Sequence, residues 1–405
     1  MNSKPLRRPL IAAFTAAALV LAPAVAAAAA PPNSAGRGAV VSVTPVASLS
    51  IAEIAALGLG TAHIRYAVTG YRLVYRTVDV HGAPTTASGL VVLPDGAAGR
   101  LPAIEYEHGT RAYRGGVASM TAGNGDREGA ELFAAAGYVI VAPDYLGLGV
   151  GPGTHPYLDA ASEVTAGVDM LRAAERFAAT ERVWLDHTVR VTGFSQGGQA
   201  AMALAEAVQD GAAGGWRLTA LAPISGPYHL QTTELPALVR HPGDGPGQID
   251  PIEGVFYIAY WTVAMNRLHH FYADPAEVFQ APYDKTVEGL FDGNHPDEEI
   301  GPALPGSPDA LLTPQYRQRL LHPSGPLLAA LRDNDQTCQW HPRVPLRLYA
   351  ANGDRDVTIG NTRACQADLA AHGTTAPIVD VGNVDHNGSA MASVPLILDW
   401  FTSHP

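Results

Sequence analysis

The stretch 189–205 constrains the fold most, because it predicts a strand, a sharp turn and a helix in immediate succession. The stretch begins with a valine-rich strand end, and its residues 200–205 are good helix formers. Between them, Gly193-x-Ser195-x-Gly197 fits the nucleophile-elbow pattern. A serine on such a strained turn needs small residues two positions before and after it. The pattern therefore predicts that the Ser195 hydroxyl is lifted clear of a sheet edge.

Strand-like and helix-like segments alternate on both sides of this turn. The first two strands, 71–78 and 87–93, read as an antiparallel hairpin at the sheet edge. The later elements alternate in the way that produces a parallel sheet covered on both faces. The predicted later strands are 101–107, 138–142, 188–192, 218–224, 344–351 and 376–381, and the predicted helices are 128–136, 162–180, 199–208, 361–372 and 393–402.

Residues 227–341 interrupt the alternation. This segment is rich in proline and aromatic residues, and its stretch 254–266 is apolar on all sides but too short to cross a membrane. We expect an inserted cap here, between a first core part, 66–226, and a second core part, 342–405. An ordinary second domain without a role in the site is the alternative. Residues 31–65 are expected to form an N-terminal arm.

Residues 1–30 have the features of a secretory signal peptide. Lys4, Arg7 and Arg8 precede an apolar run, and alanines at 26–30 offer cleavage positions. We therefore expect a secreted or extracytoplasmic protein, exported by the general route or, given the arginine pair, by the twin-arginine route. In such a compartment Cys338 and Cys365, the two cysteines of the chain, are expected to form a disulfide, with buried free thiols as the alternative.

The charge balance limits the partners. The chain has 26 basic and 38 acidic residues, a formal charge of −12, and no basic stripe. Nucleic acid is therefore not an expected partner, and neither attraction to anionic membranes nor stable membrane insertion is expected. A metal site is not expected either, because the neighbouring His269 and His270 would point in different directions on a helix.

A serine nucleophile requires a base and a group that orients the base. After Ser195, two predicted strands end in loops with suitable residues: Asp354 and Asp356 in the first, His386 in the second. This is the chain order serine, acid, histidine that accompanies a nucleophile elbow.

Two backbone N–H groups should stabilise a developing oxyanion. Gln196, directly after the serine, supplies one. The other is expected from the loop after His108, with Thr110 preferred and Gly109 as the alternative. His108 itself is expected to hold this loop.

Several motifs together resemble the α/β-hydrolase superfamily, and within it the secretory lipase family and its bacterial relatives. The resemblance extends over roughly residues 65–402. It is carried by Glu107-His108-Gly109-Thr110, Asp144-Tyr145-Leu146-Gly147-Leu148-Gly149, His155-Pro156-Tyr157, Gly193-Phe194-Ser195-Gln196-Gly197-Gly198, Gly353-Asp354-Arg355-Asp356-Val357 and Asp385-His386-Asn387-Gly388.

The resemblance implies an α/β-hydrolase fold with a cap inserted before the strand that carries the acid. Related enzymes place the acid three residues after a glycine, which here selects Asp356 after Gly353, with Asp354 as the alternative. His386 would be the base.

The implied activity is that of a secreted, lipase- or esterase-like serine hydrolase, which cleaves small-molecule esters or lipids through an acyl-enzyme and needs no cofactor. A serine exopeptidase, an acyltransferase and a non-catalytic binding module are the alternatives.

Overall fold

The computed structural model describes residues 36–240 and 248–403, with only the backbone of Arg240. The predicted signal peptide, residues 1–30, lies outside the described residues.

The described strands form one mixed sheet of nine strands. They are β1 (Val40–Leu49), β2 (Val68–Val78), β3 (Pro84–Pro94), β4 (Arg100–Glu107), β5 (Val139–Pro143), β6 (Trp184–Phe194), β7 (Arg217–Ile224), β8 (Leu348–Ala350) and β9 (Ile378–Asp380). Their spatial order is β1-β2-β3-β5-β4-β6-β7-β8-β9. Strands β1, β2 and β3 pair antiparallel with their neighbours, and all pairs from β5 to β9 are parallel.

The α-helices in the described part of the chain are α1 (Ile51–Ala56), α2 (Gly125–Ala135), α3 (Ala160–Thr180), α4 (Gln196–Gln209), α5 (Leu235–Arg240), α6 (Pro251–His269), α7 (Val287–Leu290), α8 (Asp297–Ala303), α9 (Pro308–Leu311), α10 (Pro314–Leu321), α11 (Gly325–Asp335), α12 (Ile359–Ala371) and α13 (His386–Ser403). No described helix has the length and apolar character to span a membrane.

Alternation along the strands divides the core into two layers. Val139 and Val141 of β5 pack in one hydrophobic cluster with α3 and α4, whereas Ile140 between them packs in another with α2 and α13. Successive strand side chains point to opposite faces, so both faces of the sheet are covered. This is the predicted α/β class with a largely parallel, doubly covered sheet.

Part of the expected N-terminal arm, residues 31–65, forms a strand. Val40–Leu49 forms β1, an edge strand that pairs antiparallel with β2, so that Thr44 lies opposite Arg72. The strand is largely exposed, which is why its sequence lacks the apolar alternation that identifies a half-buried strand.

The described residues of 227–341 contribute no strand to the sheet. They hold helices α5 to α11 and most of a second hydrophobic cluster, which includes Tyr260, Phe279 and Tyr316. The apolar stretch predicted at 254–266 lies in α6, where Asp250 caps the first turn and Pro251 opens the helix. We call residues 227–341 the helical segment.

A disulfide joins Cys338, beyond α11, to Cys365 in α12. The predicted pairing is therefore confirmed. Both cysteines are fully buried beneath the second part of the sheet, so the bond ties the end of the helical segment to the core.

Candidate active site

Ser195 occupies the sharp turn between β6 and α4. Its backbone has φ 57° and ψ −121°, a strained conformation for a residue with a side chain. The flanking glycines have no room for a side chain: a Cβ on Gly193 would lie 2.2 Å from the Gly197 carbonyl oxygen, and one on Gly197 would lie 2.0 Å from that of Glu107. The glycines thus permit the close backbone contacts that hold the serine in place.

His386 faces the serine at the same edge of the sheet, because the parallel strands β6 and β9 both end there. It is the first residue of α13, directly after the loop that follows β9. Its Nε2 lies 2.8 Å from Ser195 Oγ, and its ring packs against Phe194 at 4.6 Å between centroids. Both side chains are 4% exposed, so the hydrogen bond is shielded from bulk water.

Asp354 is the carboxylate that contacts this histidine. Its Oδ2 accepts from His386 Nδ1 at 2.7 Å. Its Oδ1 accepts the N–H groups of Asp356 and Val357, both at 3.0 Å, which turns the carboxylate inward at the end of β8. At 2% exposure, Asp354 is sealed into the site.

The structure therefore contradicts the position predicted for the acid. Asp356 lies outside the hydrogen-bonded chain, and its Oδ2 accepts instead from the Tyr257 hydroxyl of α6 at 3.0 Å. Burial raises the pKa of Asp356 above its ordinary value. The spacing from Gly353 selected the wrong one of two neighbouring aspartates.

The electrostatic environment favours the protonated form of His386. Burial alone would lower its pKa, but the charge of Asp354 and the hydrogen bond to it, assisted by the charges of Asp356 and Glu253, raise the pKa above the ordinary value. An imidazolium formed by taking the serine proton would therefore be stabilised in place.

Gln196 follows the serine as the first residue of α4. Its N–H is one of the donors that a helix N-terminus leaves without an intrahelical acceptor. Its side-chain amide donates to Glu163 Oε1 and to His155 Nε2, both at 2.7 Å. Burial lowers the pKa of His155 to about 3, so the neutral ring accepts this bond while Nδ1 donates to the Leu146 carbonyl.

The loop after β4 brings Thr110 to the same edge of the sheet. Thr110 Oγ1 lies 2.9 Å from the Tyr157 hydroxyl, and Gly109 lies so close to the Phe194 ring that a Cβ there would approach it to 3.0 Å. His108 is buried in the loop itself, with Nδ1 2.7 Å from the Gly109 carbonyl and Nε2 3.2 Å from that of Asp144. Its contacts fit the loop-holding role expected from the sequence.

Two cavities meet at this site. One is lined by Ser195 and by mostly apolar side chains, among them Leu230, Leu238 and Trp261. The other is more polar and is lined by residues that include Thr110, Glu253 and Asp297. Tyr257 and Asp356 line both, so they stand at the boundary between an apolar and a polar compartment.

Sequence reasoning missed the supporting residues of the site. Glu163 lies in the first turn of the long helix α3, where acidic side chains are common, and nothing in its local pattern distinguishes it from a surface carboxylate. His155 belonged to a recognised motif, His155-Pro156-Tyr157, but its partner Gln196 is 41 positions away. Only the folded chain brings these side chains together.

Known structures share this architecture, although no family model and no curated protein sequence matches the chain. The cell wall degrading esterase LipA from Xanthomonas oryzae aligns with a TM-score of 0.80 and 28% identity, over 91% of this chain and 100% of its own. A candidate hydrolase from Legionella pneumophila aligns with a TM-score of 0.80 and 26% identity, over 90% and 98%.

A more distant structure, Candida antarctica lipase A, aligns with a TM-score of 0.63 and 14% identity, over 86% of this chain and 78% of its own. At that identity the likeness concerns the fold alone.

The sheet order, the elbow and these alignments define an α/β-hydrolase fold, as the sequence predicted. The chain resembles the esterase over nearly its whole length and shares the fold of the lipase. The predicted enzyme class, a carboxylic ester hydrolase, is likewise supported by the similarity to an esterase and a hydrolase over nearly their whole length.

Proposed function

We propose that the protein hydrolyses carboxylic esters with Ser195, His386 and Asp354 as its catalytic triad. The observation that carries this proposal is the continuous chain of two short hydrogen bonds, 2.7 Å from Asp354 to His386 and 2.8 Å from His386 to Ser195. These contacts support the three roles that serine hydrolysis requires: Ser195 as nucleophile, His386 as base and Asp354 as orienting acid.

In the proposed reaction Ser195 Oγ attacks the ester carbonyl while His386 Nε2 takes its proton. The tetrahedral oxyanion accepts hydrogen bonds from the backbone N–H groups of Gln196 and Thr110, with Gly109 as the alternative second donor. His386 then gives its proton to the leaving alcohol, and an acyl-enzyme remains. Water, deprotonated by His386, attacks the acyl-enzyme and releases the acid.

We propose further that the helical segment acts as a cap and holds the acyl and alcohol parts of the ester in separate cavities. The apolar cavity that contains Ser195 suits an acyl group, and the polar cavity beside Thr110 suits the alcohol. The name of the similar Xanthomonas oryzae protein states an esterase, which supports an ester as the substrate of this chain.

The exopeptidase alternative has less support. It requires a carboxylate pair that holds a substrate amine, and the candidate in the sequence is the acidic run Asp297, Glu298 and Glu299 of the helical segment. Glu298 and Glu299 are exposed at the start of α8, as expected of a solvated helix face. An acyltransferase would use the same residues, so only a product assay with an added alcohol separates it from a hydrolase.

We also propose that the enzyme acts outside the cytoplasm. The buried disulfide is compatible with an oxidising compartment, and the first 30 residues carry the pattern of a signal peptide.

The deciding experiment uses the folded protein without its first 30 residues. A fluorophosphonate probe should label Ser195, and Ser195→Ala should abolish labelling without lowering the melting temperature. A panel of p-nitrophenyl esters of graded chain length, tested beside aminoacyl amides, should show faster cleavage of the esters. Absence of labelling on folded protein would refute the triad, and faster amide cleavage would favour the peptidase.

A further inference from the structure

The apolar cavity beside Ser195 contains a buried carboxyl group that the proposed reaction does not use. Glu234 is 7% exposed and lines this cavity among leucines and aromatic side chains. A buried carboxyl is costly unless it is hydrogen-bonded, so its position in an otherwise apolar wall calls for a partner.

Local backbone geometry brings Glu234 into this wall. Residues Leu230–Glu234 form a π-helical turn between β7 and α5, in which the Glu234 N–H donates to the His229 carbonyl at 3.0 Å. Such turns are rare and occur frequently at functional sites. Asp335 supports the turn by accepting the N–H groups of Leu230 and Gln231.

Only one carboxylate oxygen of Glu234 is occupied within the described residues. Oε2 accepts from the Asn361 side-chain amide, and Asn361 is held in turn by the N–H of His229. Oε1 has no hydrogen-bond partner in the part of the chain that the structure describes. The oxygen that faces an N–H donor is the one that stays unprotonated, so a proton on this group belongs on Oε1.

A second polar group of the same cavity also lacks a partner. Trp261 lines the cavity and is 3% exposed, and its indole N–H has no acceptor among the described residues. Buried indole N–H groups usually find one. Within the described part of the chain, Glu234 and Trp261 are thus two hydrogen-bonding groups without an acceptor in a cavity whose lining is mostly apolar.

Burial, together with the charges of Asp354 and Asp356, raises the pKa of Glu234 to about 8, against the opposing hydrogen bond from Asn361. At neutral pH the group is therefore mainly a carboxylic acid, which donates through its hydroxyl. A neutral acid can share a cavity with an apolar chain, whereas an anion would require a counter-charge.

We propose that this cavity binds acyl chains that carry an oxygen substituent, hydroxyacyl esters above all, and that Glu234 recognises this oxygen. A hydroxyl on the acyl chain can accept a hydrogen bond from the protonated Oε1 of Glu234. It can also donate one to Glu234 when the carboxylate is ionised. The apolar walls contact the methylene groups on either side of it. This proposal rests on the proposed ester hydrolysis and names its acyl substrate class.

The test compares p-nitrophenyl octanoate with p-nitrophenyl hydroxyoctanoates that carry the hydroxyl near the carbonyl or at the far end. The wild type should cleave at least one hydroxylated ester with a kcat/KM about tenfold or more above that of the plain ester, since a buried polar group left unpaired penalises the plain chain. Glu234→Gln, which still donates and accepts, should keep most of the preference. Glu234→Leu should reverse it.

The readout is the ratio between esters, which a purely structural role of Glu234 would not move. Asp335→Asn serves as the matched control, because it alters a buried carboxyl that supports the same turn but does not line the cavity; its ratio should equal that of the wild type. A wild-type enzyme without preference for any hydroxylated ester, or an unchanged preference in Glu234→Leu, would overturn the proposal. Hydrolysis of the plain ester in that case would leave the proposed function intact.

Discussion

The carboxylate of Asp354 lies 2.7 Å from Nδ1 of His386, although the two residues are 32 positions apart in the chain. In the proposed triad, this contact selects Asp354, of the two aspartates in one loop, as the residue that orients the base. It also fixes the proton on Nδ1, so that Nε2 remains free to accept from the serine. The loops after β8 and β9 approach closely to make it: a Cβ on Gly353 would lie 2.6 Å from the Asn383 side chain.

Replacing each of the two aspartates with asparagine, in separate variants, should distinguish their roles. Asp354→Asn should reduce ester kcat by about 10⁴, because an amide no longer stabilises the imidazolium or the required tautomer. Asp356→Asn should keep kcat within about tenfold of the wild type, since its hydrogen bond goes to Tyr257. Steady-state rates with p-nitrophenyl esters measure both. A larger loss in Asp356→Asn would return the acid role to that residue.

The pH profile should report the charges around His386. Its pKa is raised, and the base acts only when neutral, so the acidic limb of kcat/KM should lie above about pH 6.5, the ordinary histidine value. Asp356→Asn removes one of the charges that raise this pKa. The limb should therefore move to lower pH in that variant. An unmoved or upward-shifted limb would show that the charge of Asp356 is screened from the base.

The side-chain hydrogen bonds of Gln196 should hold its backbone N–H, the proposed oxyanion donor, in position. Glu163→Leu removes the acceptor at 2.7 Å and should lower kcat by about tenfold with little change in KM, because transition-state binding depends on the N–H position. Glu163→Gln, which offers an amide oxygen in the same place, should recover most of the rate. Equal losses in both variants would point to packing instead.

The elbow glycines should tolerate no side chain. Gly197→Ala places a methyl group 2.0 Å from the Glu107 carbonyl oxygen, and since both partners are backbone, the turn itself must move. We expect loss of fluorophosphonate labelling and a lower melting temperature. Gly289→Ala is the control, because an added Cβ there meets nothing within 4 Å. Wild-type labelling in Gly197→Ala would contradict the packing account of the motif.

Removal of the disulfide should destabilise the fold. The two cysteines are 27 positions apart in the chain, and closing a loop of that length restricts the unfolded chain by about 3.5 kcal/mol in the chain-entropy account. The double variant Cys338→Ala/Cys365→Ala should lose about 2–4 kcal/mol in urea unfolding, with the triad still labelled by the fluorophosphonate at low temperature. A loss below about 1 kcal/mol would show that packing around α12 supplies the stability.

Local patterns in the sequence determined the scaffold. The strand-turn-helix stretch around Ser195 and the alternation of strands and helices specify an α/β sheet, because strand and helix periodicities are local properties of the chain. The position of His386 in a later strand-end loop followed from the same logic. The exposed strand β1 was not predicted, because its side chains do not alternate between core and solvent.

Tertiary structure alone decided the contacts between distant side chains. Two aspartates in one loop have nearly the same local pattern, and only the approach of the β9 loop makes Asp354 the partner of His386. The same holds for Glu163 beside Gln196 and for Glu234 in the cavity wall. A sequence motif places a residue at a strand end, whereas the packing of separate elements determines where its side chain points and what it contacts.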